Sequence, residues 1–189
     1  MSATVLGLRS ALGPHGALSV PRAAERDYDA ATAYLSRDPG MRDVIERAEH
    51  ASRPLSLALV HDGNDRFDPA TRRVYWDPHS ALRLADGTTQ SPALGLGHEL
   101  DHATVDPAVR MRGALHFDAG YDNGEERRVI LGSERAAART LGEGIRHDHG
   151  GTPSPWLRRS AASVLTQKFL AEDREGLLVG SRSDEGATP

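Results

Sequence analysis

The chain of 189 residues contains no cysteine. This absence excludes disulfide bonds, thiolate metal ligands and cysteine nucleophiles, so any transition metal must be held by histidine and carboxylate side chains. The sequence also lacks a run of about eighteen apolar residues, the length that a membrane-spanning helix needs. We therefore expect no membrane partner for the chain.

An excess of positive charge is missing as well. Lys and Arg number 23 against 27 for Asp and Glu, which gives a net charge of −4, whereas nucleic-acid binding calls for a basic surface. We therefore expect no nucleic-acid partner. Aromatic residues make up only 5% of the chain. This predicts a lean core in one domain of ordinary size, and we expect the protein to be a monomer.

The composition divides the chain into three parts. Residues 1–24 are small and polar and predict a flexible leader, or alternatively an export address. Their short apolar stretch is interrupted by Arg9, Gly13 and Pro14, so a signal peptide with a continuous apolar segment is not expected. Residues 25–172 predict one folded domain without internal repeats, and residues 173–189 predict a flexible tail.

Capping residues and hydrophobic periodicity predict an α+β fold that is mostly helical, with a small antiparallel sheet. The sheet would pair strands at 55–60 and 73–76 across a turn at 62–65. Residues 113–124 predict a loop. Ser133 is expected to cap a late helix that Gly142 ends. The predicted helices cover residues 25–35, 38–48, 91–105, 125–131, 133–142 and 154–171.

Residues 98–102 read His-Glu-Leu-Asp-His within the predicted helix over 91–105. Positions i and i+4 lie on the same side of a helix, so His98 and His102 can bind one metal ion. Imidazole nitrogens suit zinc, and three protein ligands leave one coordination position for water. Glu99 is the candidate general base, because a carboxylate beside zinc can take a proton from water as the water attacks a carbonyl group.

The third ligand must come from outside this motif, and four carboxylates are candidates. Asp106 follows the helix closely, but the proline after it is expected to turn it away. Glu125 and Glu126 stand where a second helix can return to the metal. For Glu134 we favour a capping role, because it would lie in the first turn of the next predicted helix.

Three blocks, in this order, resemble the NleD-like zinc peptidases, a family of bacterial effectors. The blocks are Ser91-Pro92-Ala93-Leu94 with His98-Glu99-Leu100-x-His102-Ala103, then Glu125-Glu126, then Ser133-Glu134 with Arg139, Leu141-Gly142 and Arg146. The resemblance implies a single zincin-like metallopeptidase domain over 25–172, with residues 98–102 on an active-site helix. It also implies secretion from a bacterium, such as by type III secretion, and cleavage of a protein in the host cell cytoplasm. Stress-activated MAP kinases are among the substrates of the family.

The resemblance also implies roles for residues beyond the metal helix. Glu125 would be the third zinc ligand, as in the similar clostridial neurotoxin light chains, and Glu126 would orient its neighbours. Arg146 and His149 stand where the family has an Arg and a Tyr, and they would stabilise the oxyanion. Two departures affect this transfer: Arg135 replaces a family Asn, which concerns substrate contacts, and His149 replaces the Tyr, which changes the transition-state donor.

The leading interpretation is therefore a zinc-dependent endopeptidase that acts on a protein substrate. The alternatives are another zinc amide hydrolase, a catalytically silent binding module that keeps zinc for structure, and a bacterial housekeeping protein with no host role. Glu99 argues against the silent module. Structural zinc sites are closed by four protein ligands, and Glu99 would have no function in such a site.

Overall fold

A computed structural model describes residues 14–155, and the fold is mixed α/β. The helices are α1 (Glu25–Leu35), α2 (Pro39–Glu49), α3 (Pro92–Thr104), α4 (Pro107–Ala114), α5 (Gly124–Val129) and α6 (Arg135–Leu141), with a kinked segment (Ile130–Glu134) between α5 and α6. The strands are β1 (Leu18–Ser19), β2 (Leu55–Leu59), β3 (Arg66–Asp68), β4 (Arg73–Trp76), β5 (Ser80–Arg83), β6 (Thr89–Gln90), β7 (Phe117–Asp118), β8 (Asp122–Asn123) and β9 (Thr152–Pro155). Within these residues no helix has both the length and the apolar character that a membrane span requires.

The central sheet has four strands in the order β1-β2-β4-β3. β1 and β4 run parallel to β2, and β3 runs antiparallel to β4. The prediction that residues 55–60 and 73–76 form an antiparallel pair is therefore wrong, since Leu57 pairs with Val74 in a parallel register. The reason is β3, which the sequence analysis did not predict. β3 runs along the edge of the sheet and returns the chain to the end of the sheet at which β2 begins. β4 therefore runs in the same direction as β2.

Antiparallel pairing occurs in two smaller sheets. β5 lies between β6 and β9, and β7 pairs with β8. In β9, Ser154 pairs with Ala81, so the prediction that a helix begins at Ser154 is wrong. Pro153 and Pro155 fit an edge strand, where a missing N–H need not break the ladder. The rest of that predicted helix and the predicted tail at 173–189 lie outside the described residues.

The fold begins before residue 25. β1 joins the central sheet, and Leu18 and Ala24 are buried in the hydrophobic core. Residues 14–24, which the sequence assigns to a flexible leader, therefore belong to the folded unit. The first 13 residues of that predicted leader lie outside the described part of the chain.

Local capping explains where the predicted helices begin and end. Asp38 and Ser91 cap α2 and α3 by accepting hydrogen bonds from backbone N–H groups three residues later, and a proline follows each cap at the first helical position. Gly142 ends α6 with φ of +72°, a left-handed conformation that glycine adopts without a Cβ clash. The predicted boundaries of these helices are confirmed to within a residue or two.

α3 is buried along nearly its whole length, with α1, α2 and the central sheet packed around it. Trp76 Nε1 donates a hydrogen bond of 2.8 Å to Pro92 O, which joins the sheet to the start of the helix. A Cβ at Gly95 would lie 2.7 Å from Asp65 Oδ2, and a Cβ at Gly97 would lie 2.8 Å from a methionine sulfur. The glycines before residue 98 thus let neighbouring groups approach the helix backbone closely.

Candidate metal centre

α3 presents two histidines to one point inside the protein. His98 and His102 are one helical turn apart and each is 6% exposed. Their Nε2 atoms lie 2.9 Å apart, and their rings meet edge to face with centroids 4.6 Å apart. The i, i+4 spacing therefore brings two imidazole nitrogens together, as the sequence predicts.

The other nitrogen of each imidazole faces a carboxylate. His98 Nδ1 lies 2.7 Å from Glu134 Oε2, and His102 Nδ1 lies 3.0 Å from Glu125 Oε1. An ionised carboxylate only accepts hydrogen bonds, so each neutral ring carries its proton on Nδ1. Both Nε2 lone pairs then point into the same small volume, where they repel one another unless a cation lies between them.

Glu126 completes a group of three candidate ligand residues, and each of its carboxylate oxygens lies near one histidine. Its Oε2 lies 3.1 Å from His98 Nε2, and its Oε1 lies 3.3 Å from His102 Nε2. Neighbouring ligand atoms around a tetrahedral zinc ion are about 3.3 Å apart, given bond lengths of about 2.0–2.1 Å. The separations of 2.9, 3.1 and 3.3 Å are close to that distance, although the last two involve different oxygens of the same carboxylate. His98, His102 and Glu126 can therefore hold a metal ion.

Glu126 takes the position that the sequence analysis gives to Glu125. Asn123 caps α5 by accepting hydrogen bonds from the backbone N–H groups of both glutamates. The Glu125 carboxylate turns to His102 Nδ1 and makes a two-point contact with Arg128, at 2.8 and 2.9 Å. The assignment is therefore corrected, with Glu126 among the candidate ligands and Glu125 orienting His102. Adjacent residues on a helix point about 100° apart, so only one of the pair can face the ligand group.

Glu134 is a buried part of the site and not the capping residue that the sequence analysis favours. It is 1% exposed and accepts hydrogen bonds from His98 Nδ1 at 2.7 Å and from Arg146 Nη1 at 3.2 Å. No side chain caps α6, and Ser133 Oγ donates to Asp101 instead. The predicted cap at Ser133 is therefore wrong, and Glu134 orients a candidate metal ligand.

A kink at Gly132 explains how the Glu134 carboxylate reaches the site. Gly132 has φ of −95° and ψ of −108°, so the helix is interrupted there. In an uninterrupted α-helix, Glu125 and Glu134 are nine residues apart and would point in roughly opposite directions. The bend allows both carboxylates to face α3, where each contacts a different histidine.

Glu99 lies beside the candidate ligands without joining them. Its side chain is buried, and its Oε1 lies 3.9 Å from His98 Nε2. Burial raises the pKa of Glu99 above its ordinary value, while the charges of His98 and His102 act in the opposite direction. A carboxylate in such surroundings takes up a proton more readily than one in water, which suits a general base.

Arg146 and His149 reach the site in different ways. Arg146 is 9% exposed, and its second guanidinium nitrogen, Nη2, donates to His149 O at 3.1 Å. His149 Nδ1 lies 2.5 Å from Asp122 Oδ2, and its Nε2 lies 3.4 Å from Glu126 Oε2. The His149 ring therefore faces the candidate ligands. Arg146 instead bridges Glu134 and the backbone at residue 149.

Asp106 has a structural role. It caps α4 by accepting hydrogen bonds from the backbone N–H groups of Ala108 and Val109, with Pro107 at the first helical position. From the sequence, this proline is expected only to end α3, and residues 113–124 are expected to form a loop. The helix α4 is therefore not predicted, although the expectation that Asp106 is turned away from the metal agrees with the structure.

Two cavities meet at the candidate ligands, with volumes of 560 and 310 Å³. The larger cavity also contacts His102 and Glu126, and the smaller one contacts Glu134 and Arg146. The residues that line both cavities are Asn64, Asp65, His98, Glu99 and His149. A ligand can thus approach Glu99 through either cavity.

Asp65 and Arg128 belong to the site although the sequence analysis does not name them. Asp65 Oδ1 accepts a hydrogen bond of 2.7 Å from Asp77 N, and burial raises the pKa of Asp65 to about 8. Arg128 connects Glu125 to Asp101, with 3.1 Å between Arg128 Nη1 and Asp101 Oδ1. The i, i+3 spacing of Glu125 and Arg128 is a usable sequence signal, whereas Asp65 lies in a run of turn residues that gives no such signal.

No protein-family model, curated protein or solved structure matches the chain. The resemblance to zinc peptidases therefore rests on the order of its sequence blocks. The structure adds a buried group formed by His98, His102 and Glu126 that can hold a metal ion.

Proposed function

We propose that the chain is a zinc-dependent endopeptidase. The observation that carries the proposal is the convergence of His98 Nε2, His102 Nε2 and the Glu126 carboxylate at separations of 2.9–3.3 Å, beside the buried carboxylate of Glu99. Two imidazoles and one carboxylate form a common ligand set of catalytic zinc, and the fourth position is left for water or substrate. This donor chemistry supports the proposal of zinc as the metal.

When bound, the ion supplies Lewis acidity and lowers the pKa of water toward neutrality. Glu99 takes the proton from the attacking water and transfers it to the leaving amine. Glu125 and Glu134 hold the two imidazoles in the tautomer that frees Nε2, a supporting role that fixes ligand orientation. His149 is the proposed donor to the oxyanion, a role that requires its Nε2 to turn away from Glu126 Oε2, which lies 3.4 Å away. Arg146 acts through Glu134 and the backbone at residue 149.

A polypeptide is the substrate class that the cleft fits best. β3 is the last strand in the order β1-β2-β4-β3, so its outer edge has no strand partner within residues 14–155. Arg66 and Phe67 of this strand line the 560 Å³ cavity together with Glu99. An extended peptide can add to such a free edge through main-chain hydrogen bonds. Its carbonyl groups would then pass close to Glu99.

The resemblance adds a biological setting to the proposal. We propose that the protein is secreted by a bacterium and cleaves a host protein, such as a signalling kinase, in the host cytoplasm. Mapping of new protein N-termini in host cells that express the chain tests both parts. The proposal expects new termini with the wild type and none with Glu99→Gln, which keeps the size of the side chain but removes the base. Identical sets of termini from both proteins would refute the peptidase mechanism.

A further inference from the structure

Exposed apolar surface is concentrated next to the candidate metal centre. Within residues 14–155, the large hydrophobic side chains with wide exposure are Val109 at 36%, Met111 at 65%, Leu115 at 83% and Phe117 at 78%. They fall in nine consecutive positions, and α4 contains no buried residue. Contiguous apolar surface exposed to water marks sites of interaction.

The packing of α4 fixes which side chains face outward. A Cβ at Gly113 would lie 2.9 Å from Glu125 N and 3.0 Å from Glu125 Cα, so this side of α4 touches the backbone of α5. Residue 111 is two positions away, which on a helix is roughly the opposite side, and Leu115 lies four positions further on that same side. The outward direction of Met111 and Leu115 thus follows from the contact that holds α4 against α5.

The apolar surface continues into the cleft. Met111 lines the 560 Å³ cavity together with Glu99 and Glu126. The other apolar residues along that cavity are Phe67, Pro69, Pro107 and Ala114. A chain that occupies the cleft at Glu99 can therefore place neighbouring side chains on α4 without leaving the protein surface.

Arginine side chains accompany this surface, since Arg66 and Arg110 line the 560 Å³ cavity and Arg112 follows Met111 in α4. Arg66 donates to Asn64 O at 3.1 Å and Arg110 donates to His102 O at 3.0 Å. Neither of these guanidinium groups, nor that of Arg112, has a carboxylate within 4.0 Å in the part of the chain that the structure describes. Their charge is therefore available to a partner, although the whole chain carries a net charge of −4.

We propose that Met111, Leu115 and Phe117, accompanied by Arg66, Arg110 and Arg112, form a docking platform for a polypeptide substrate with large apolar side chains beside acidic ones. The proposal rests on the proposed function, since the platform opens into the cleft at Glu99. A polypeptide fits better than a membrane surface because a single chain can lie on α4 and enter the cavity at the same time. A bilayer cannot follow the cavity inward.

The experiment selects binders to the zinc-loaded, full-length Glu99→Gln protein from a displayed library of random peptides. The platform predicts enriched peptides with large apolar residues beside Asp or Glu. Their affinity should fall by about tenfold or more in a variant that adds Met111→Ser and Leu115→Ser, as expected for anchor residues. The matched control adds Val60→Ser, because Val60 is partly exposed and lines neither cavity. This control should bind the peptides like its parent.

Other outcomes overturn the platform. They are an absence of enriched peptides, peptides without apolar residues, or equal affinity for the Met111→Ser/Leu115→Ser variant. Co-sedimentation with anionic phospholipid vesicles that the double serine variant abolishes would identify a membrane surface instead. A large loss of thermal stability in that variant without any ligand would mean that another segment of the chain covers α4. Since both side chains are mostly exposed, the proposal predicts a melting temperature close to that of the parent.

Cleavage of the selected peptides separates this proposal from the proposed function. If the zinc-loaded wild type binds the peptides but leaves them intact, the peptidase proposal fails while the platform remains supported. If the wild type and its Met111→Ser/Leu115→Ser variant cleave the peptides equally well, the peptidase proposal is supported and the platform is refuted.

Discussion

Replacement of Glu134 by Gln tests whether this buried carboxylate supports the candidate metal centre. The substitution keeps the side-chain volume but removes the negative charge 2.7 Å from His98 Nδ1 and 3.2 Å from Arg146 Nη1. Loss of such a supporting carboxylate typically weakens metal binding by about 10–100-fold, which corresponds to about 1.4–2.8 kcal/mol. Zinc affinity should therefore fall by this factor in a competition titration against a chelating dye.

The same substitution should also destabilise the fold. Glu134 and Arg146 are 1% and 9% exposed, and removal of one partner from a buried ion pair costs about 3–5 kcal/mol. We expect the lower end, because Arg146 keeps its 3.1 Å contact with His149 O. In a chain of this size, about 3 kcal/mol corresponds to a fall in melting temperature of roughly 6–12 °C.

A double-mutant cycle with Arg146→Met separates the two effects. The combined Glu134→Gln/Arg146→Met protein should recover part of the lost thermal stability, because no buried guanidinium remains unpaired. Its zinc affinity should stay as low as that of Glu134→Gln. A zinc affinity of Glu134→Gln within about threefold of the wild type would refute the supporting role assigned to this residue.

Three further predictions follow from the geometry. Glu126→Gln should weaken zinc binding more than Glu125→Gln in the same titration, because one removes a ligand and the other an orienting group; the opposite order would move the ligand to Glu125. Gly113→Ala should lower both the melting temperature and zinc affinity, since its Cβ would lie 2.9 Å from Glu125 N, and an unchanged protein would show that α4 is loosely attached. In metal-free protein, burial raises the pKa of Asp65 to about 8. The folded state therefore holds a proton that the unfolded state releases, and the free energy of unfolding decreases as the pH rises from about 4 to 8. Asp65→Asn should therefore raise the melting temperature more at pH 8 than at pH 5, and an equal difference at both pH values would contradict the cause.

The sequence predicts the parts of this protein that depend on neighbouring residues. Asp38 and Ser91, each followed by proline, mark two helix starts, and the i, i+4 spacing brings His98 and His102 to one point. The same logic was available at Asp106 and would have predicted α4. The helix α4 is missed because Pro107 is interpreted only as the end of α3.

The remainder depends on contacts that local patterns do not encode. The parallel pairing of β2 with β4 follows from the path of the three-residue strand β3, which is too short to give a clear pattern. The choice between Glu125 and Glu126 depends on the rotation of α5, which the Asn123 cap and the contact of Arg128 with α3 fix. Glu134 reaches His98 only because the helix bends at Gly132.

Zinc stoichiometry and coordination test the central claim most directly. X-ray absorption at the zinc edge of the purified full-length protein should show about one zinc per chain, with two imidazole nitrogens and carboxylate or water oxygens at about 2.0–2.2 Å. Glu126→Gln should lose or alter the carboxylate contribution, and His98→Ala should lose the metal. A protein that binds no zinc, or one whose zinc content and coordination are unchanged in both variants, would contradict the account.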